Sequence, residues 1–148
     1  MSRRSLIADE KFVSGYNCAQ AVLFSFADRI GLPPDSVLKA ACAFGAGMGR
    51  KGEICGSVSG ALLVLGLCFG RGEKEDRKAT ETTYAKTREF FARFADLRGT
   101  CRCRDLLNGC DLATPEGQQI FFDQDCFNAI CRPCVRDAVE IAESLIDG

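Results

Sequence analysis

Ile54-Cys-Gly-Ser-Val-Ser-Gly-Ala-Leu-Leu-Val-Leu-Gly-Leu-Cys-Phe69 contains no charged side chain and is the most apolar stretch of the chain. A membrane-spanning helix needs about 20 apolar residues. This run is shorter and is interrupted by Gly56, Ser57, Ser59, Gly60 and Gly66. It therefore predicts a helix buried on all sides at the centre of a small protein. Gly56-Ser-Val-Ser-Gly60 would give that helix one small face, against which another helix can pack tightly beside Cys55. A glycine-dense loop, Gly45-Ala-Gly-Met-Gly-Arg-Lys-Gly52, precedes it, and Gly70-Arg-Gly72 breaks the chain after it.

Helical signals continue outward on both sides. Residues 3–14 read as a first helix. Asn17-Cys-Ala-Gln20 has the pattern of a capping box and opens a helix running to about Ile30. Pro33-Pro34 starts the next, which reaches towards Phe44. Residues 73–96 form a long amphipathic helix in this reading, with Tyr84, Thr87, Phe91 and Phe94 on its inner face and Glu89 paired with Arg93. Cys103-Arg-Asp-Leu-Leu107 makes a short helix, and Thr114-Pro115 caps another. Residues 133–146 form the last, with the stripe Val135, Ala138, Val139, Ala142, Leu145 and Ile146. No segment alternates apolar and polar residues with the period of a strand. The expected fold is all-α: a small single-domain helical bundle of five to seven helices over residues 1–148, without a sheet.

Composition removes several functions. The formal net charge is −1, from 19 basic and 20 acidic residues. A nucleic-acid partner is not expected, because binding phosphates needs a basic stripe. There is no histidine. That excludes a Ser-His-Asp triad, a Cys-His dyad and any imidazole-bound metal. The basic start is not followed by an apolar segment of signal-peptide type. The expected location is the cytoplasm, without membrane insertion, where thiols stay reduced. Ten cysteines in such a compartment point to metal or redox chemistry rather than to a disulfide framework.

The thiolate is the reactive and ligating form of cysteine, and a helix N-terminus favours its charge. Cys18, Cys55, Cys103 and Cys131 each begin or precede a predicted helix, and four is the number a single metal or cluster site takes. Cys42 and Cys68 read as packed mid-helix thiols. Cys126, Cys131 and Cys134 give C-x4-C-x2-C, a ferredoxin-like spacing outside a ferredoxin context. Cys101 and Cys134 are alternatives to Cys103 and Cys131 at a shared site. Glu53 and Asp105 flank site cysteines and read as solvated acids. Gly47-Met-Gly49-Arg-Lys-Gly52 matches G-x-G-x-x-G but lacks the preceding strand that a dinucleotide site requires. Gly45, Gly47, Gly49, Gly52 and Gly56 are instead expected to line the sulfur site.

Asn17-Cys-Ala-Gln-Ala-Val22, Phe44-Gly-Ala-Gly-Met-Gly49 and Gly52-Glu-Ile-Cys-Gly-Ser-Val-Ser-Gly60 followed by Ala61-Leu62 resemble the C_GCAxxG_C_C family of redox proteins. Cys103-Arg-Asp-Leu-Leu107 resembles its third cysteine element, and Cys131 ahead of Val135-Arg-Asp-Ala138 its fourth. The resemblance places the four family cysteines on Cys18, Cys55, Cys103 and Cys131. Ser57 departs from it, standing where the family usually has Ala. A related cysteine-rich domain occurs in split-Soret cytochromes beside an iron–sulfur centre; this chain has no C-x-x-C-H haem attachment. The resemblance implies a redox protein, with three readings of its chemistry. The first is an all-cysteine [2Fe–2S] iron–sulfur cluster that transfers electrons. The second is metal-free thiol–disulfide exchange by the same cysteines, and the third is a structural zinc–thiolate module. Its partner would be an electron donor or acceptor, or a thiol, with a homodimer left open. No residue pattern identifies a reaction, so enzymatic activity is left open too.

Overall fold

The computed structural model describes residues 1–148, and it is all-α, as the patterning predicts. Seven helices have at least seven residues: Arg3–Val13, Cys18–Phe24, Pro34–Ala41, Gly56–Phe69, Arg77–Arg98, Pro115–Asp123 and Arg132–Asp147. Ala27–Ile30 and Cys103–Leu106 are single turns. There is no sheet; one antiparallel bridge joins Ile54 to Arg102. No helix is long and apolar enough to cross a membrane.

The Gly56–Phe69 helix sits at the centre, against Cys18–Phe24, Arg77–Arg98 and Arg132–Asp147. Val22, Leu23, Val58, Val64, Leu65, Phe90, Phe94, Val135 and Val139 are almost wholly buried in one core. Each large side chain there contributes about 1.5–3 kcal/mol by leaving water. A smaller cluster of Cys103, Leu107, Cys110 and Cys126 lies at one end. The first helix is joined to the last by Arg132, whose Nε and Nη2 donate to Asp9 at 2.9 and 2.7 Å, and to the turn preceding it by Phe12 stacked on Phe127.

Several expected boundaries move. The Asn17 capping box is present, with the Asn17 side chain accepting from the Gln20 N–H and the Gln20 side chain from the Asn17 N–H. The helix it opens stops at Phe24, however. Ser25 turns its hydroxyl onto the Val22 carbonyl at 2.7 Å, and Phe26 swings into the core before the Ala27–Ile30 turn. The long helix starts at Arg77 rather than at residue 73, because Asp76 caps it by accepting from the Lys78 N–H. Only its C-terminal half rests on the core. Phe90 and Phe94 are buried, whereas Tyr84 and Leu97 are exposed. The Glu89–Arg93 pair forms at 2.7 Å. The last helix does not begin freely after Cys131: a π-helical turn, Phe127–Cys131, runs straight into it.

Candidate functional site

One end of the bundle gathers five thiols. Gly56 and Gly60 let the Cys18–Phe24 helix lie directly on the central helix. A Cβ at Gly60 would come within 2.7 Å of the Ala19 carbonyl, and one at Gly56 would overlap the Cys18 sulfur. Cys55 is the N-cap of the central helix. The chain at Cys103 is tied to the same place by backbone: the Cys55 N–H donates to the Cys101 carbonyl at 2.8 Å and the Cys103 N–H to the Glu53 carbonyl at 2.6 Å. Cys131 arrives on the π-helical turn, and Cys134 lies one turn further on. Arg132 steadies that turn, since its Nη1 also donates to Asn128 at 3.0 Å.

The glycine loop closes the site from the side with an unusual backbone. Ala46, Gly47, Met48, Gly49 and Arg50 all have φ between +54° and +70°. The Gly49 N–H bonds to the Gly45 carbonyl at 2.9 Å, so the stretch is one left-handed turn. Three of these residues carry a Cβ, and each such residue costs roughly 1–2 kcal/mol. The turn brings the Ala46 N–H onto the Cys18 sulfur, which also accepts from the Ala19 N–H. Gly47 is the residue the turn cannot replace, because a Cβ there would lie 2.7 Å from that of Cys103.

These elements line a partly open cavity of about 170 Å³. That is comparable to a protein cavity able to hold a benzene-sized molecule. Cys18, Cys55, Cys103, Cys131 and Cys134 line it, within an otherwise largely apolar wall that includes Phe12, Ile130 and Phe127. A hydrogen bond to Cys55, and then burial, hold the Cys18 thiol well above the usual thiol range. Cys55, hydrogen-bonded to Cys134 and buried, is pushed up to about 12. Burial and the neighbouring Cys18 push Cys103 up to about 12. Burial, and then Cys18 and Cys55, raise Cys131 further. With nothing bound, these four thiols therefore keep their protons.

The donor set suits a soft, thiolate-bound group. No three of the chain's Cys, Asp or Glu side chains are arranged to hold one metal ion. The five sulfurs line one pocket. Ser57 also lines the cavity, is 0% exposed, and its hydroxyl has no hydrogen-bond partner within the protein. Buried hydroxyls are ordinarily paired.

The remaining sequence candidates lie elsewhere. Cys101 is outside the cavity, with its sulfur on the Phe91 carbonyl at 3.7 Å, whereas Cys134 is a fifth thiol beside Cys131. Cys42 is exposed on a 3-10 turn and not packed as expected; the helix has ended by then, so its side chain no longer faces the core. Cys68 is half-buried and distant from the cavity. Glu53 and Asp105 are exposed. Of the five glycines, Gly56 lines the cavity. Gly45 packs on Asn17, Gly47 backs Cys103, Gly52 abuts Arg104, and Gly49 faces open space. From the loop itself it is Ala46 that reaches the cavity wall. The sequence reading gave Ser57 no role in the site; a hydroxyl on the first turn of an otherwise apolar helix, beside a candidate ligand, was the available signal.

Comparison with known proteins gives two matches. The profile of the family described as "Putative redox-active protein (C_GCAxxG_C_C)" matches residues 16–145. An "Uncharacterized protein" of Archaeoglobus fulgidus is 26% identical over 135 residues, covering 86% of this chain and 83% of that protein. No solved structure matches.

Proposed function

Because the chain belongs to the C_GCAxxG_C_C family of redox-active proteins, we propose that Cys18, Cys55, Cys103 and Cys131 hold a [2Fe–2S] cluster for electron transfer. The observation that carries this reading is the ring of thiols from four separate segments around one apolar cavity. Such a centre, when bound, takes up and releases one electron at a time. All-thiolate ligation favours a low potential. The chain's own groups would tune it. The Ala46, Ala19 and Ser57 N–H groups donate to the Cys18 and Cys55 sulfurs. Phe12, Phe127 and Ile130 give it an apolar wall. Cys134 would supply a hydrogen-bonding thiol beside Cys55. Loading requires the four ligand thiols to lose protons that burial makes them retain, so affinity would rise with pH. A compartment that keeps thiols reduced, such as the cytoplasm, would suit it.

A second reading is supported by the hydrogen-bonded row Cys18, Cys55, Cys134, which would suit reversible disulfide formation without metal. The raised pKa values of Cys18 and Cys55 weigh against it, because the attacking species is the thiolate. Iron and acid-labile sulfide analysis of anaerobically purified and reconstituted protein separates the two. Equal amounts of iron and sulfide, lost in Cys18→Ser or Cys131→Ser, are expected. Colourless protein that takes up no iron yet oxidises reversibly to a disulfide would overturn the cluster reading.

A further inference from the structure

Residues 105–131 contain five acidic residues, Asp105, Asp111, Glu116, Asp123 and Asp125, and no Lys or Arg; all 19 basic residues lie outside this segment. In a chain whose net charge is −1 this is a strong local imbalance. Asp111 is the one acid of the five in an ion pair, with Arg104 at 3.3 Å. Asp123 and Asp125 accept from the side-chain amides of Gln119 and Asn128, which leaves their charge intact.

The same segment exposes aromatic and aliphatic surface. Phe122 is 79% and Ile120 45% exposed. Phe121, Phe122, Asp125, Phe127 and Asn128 line a shallow surface depression. Phe121 and Phe127 are also walls of the thiol cavity. A single layer of side chains therefore separates this face from the thiols. Redox encounters use small interfaces, and complementary charge steers them while fixing orientation.

We propose that this face, Asp111 to Asn128, docks a redox protein whose own surface is basic around an apolar centre, and that electrons pass here to and from the cavity; the proposal rests on the cavity being the redox centre. A second copy of the chain is a poorer occupant, because a two-fold contact through this face would set acid against acid.

Amide chemical-shift mapping of the isotope-labelled full chain, purified anaerobically with its thiols reduced, tests the docking without any cluster on the chain. Reduced cytochrome c serves as a basic redox probe and an acidic flavodoxin as its counterpart. The expected result is shift changes confined to residues 111–128 with cytochrome c and none with flavodoxin. Affinity should fall about tenfold or more when salt rises from about 20 to about 200 mM. Phe122→Ser and the double variant Asp123→Asn/Asp125→Asn should each weaken binding at least threefold, with the rest of the spectrum unchanged. Absent binding, shifts centred elsewhere, or salt-independent binding would overturn the proposal. So would concentration-dependent changes at the same amides without a probe, which would assign the face to a second copy. A chain that binds here but never takes up iron would refute the cluster and leave the docking face standing.

Discussion

Ser57→Ala is expected to have opposite effects in the empty and the loaded protein. In the structure the Ser57 hydroxyl is fully buried, lines the cavity and has no partner. Leaving a buried hydroxyl unpaired costs about 1–3 kcal/mol. Alanine removes that cost, and its higher helix propensity adds a few tenths of a kcal/mol. The void left by one oxygen offsets part of the gain. Without iron, Ser57→Ala should therefore be more stable by about 1–2 kcal/mol. For a chain of 148 residues that corresponds to a rise in Tm of roughly 2–8 °C, at about 2–4 °C per kcal/mol. With the proposed cluster in the cavity, the wild-type hydroxyl would gain an acceptor. The variant should then lose that hydrogen bond, and the reduction potential should fall. The measurements are thermal or urea unfolding of both forms under reducing, anaerobic conditions, and voltammetry of the loaded form. An alanine variant less stable than wild type without iron would refute the reasoning, since the hydroxyl would then have a partner. An equal stability gain in both forms would show that it does not face the occupant.

Three further outcomes follow from the same geometry. Cys55 and Cys103 stay neutral to about pH 12 when folded, against a thiol value of 9.0; stability of the iron-free protein is therefore full below about pH 9 and falls as pH rises towards 12. Each thiol contributes at most about 1.4 kcal/mol per pH unit in that window, because the unfolded chain loses its protons first, and urea titrations at stepped alkaline pH measure it. Asp9→Asn breaks the two-point bond to Arg132 and should destabilise the fold, by less than the loss of a wholly buried pair because Arg132 is partly solvated. Arg132 holds the Asp9 carboxyl below its usual range; its contribution is thus present above about pH 4 and lost as pH falls through the depressed value, which acid unfolding of wild type against Asp9→Asn reads out. Cys42→Ser should change neither stability nor iron content, as Cys42 is exposed and outside the cavity, and paired unfolding and iron assays check both.

Features written in short-range chemistry were legible from the residues. The capping box at Asn17 and Gln20, the proline at the start of the Pro34 and Pro115 helices, and the small face Gly56–Gly60 each depend on neighbours within a few positions. Their structural outcome followed. Features set by distant contacts were not legible. Pro133 has no N–H and therefore reads as a helix start, yet the chain passes it unbroken by widening the preceding turn into a π turn, which Arg132 holds down on Asp9. That change of geometry places Cys131 inside a continuous helical segment. Cys42 read as core because its neighbours are apolar, and one turn of 3-10 helix rotated it outward. The long helix carried more aromatic residues than the core could cover, so Tyr84 stays in water while Phe90 does not. Ser57 looked like a small-for-small exchange until its hydroxyl proved to have no partner.

The left-handed turn at Ala46–Arg50 has a consequence of handedness. Ala46, Met48 and Arg50 hold there a conformation that L-amino acids resist and their mirror images prefer. The loop is thus loaded like a spring, and the latch on the Cys18 side is the Ala46 N–H resting on that sulfur. A change in the electron density of the sulfur tightens or loosens the latch. The amide protons of residues 46–50 should accordingly exchange with solvent at rates that follow what the cavity holds, making this loop a gauge of the site as well as its wall.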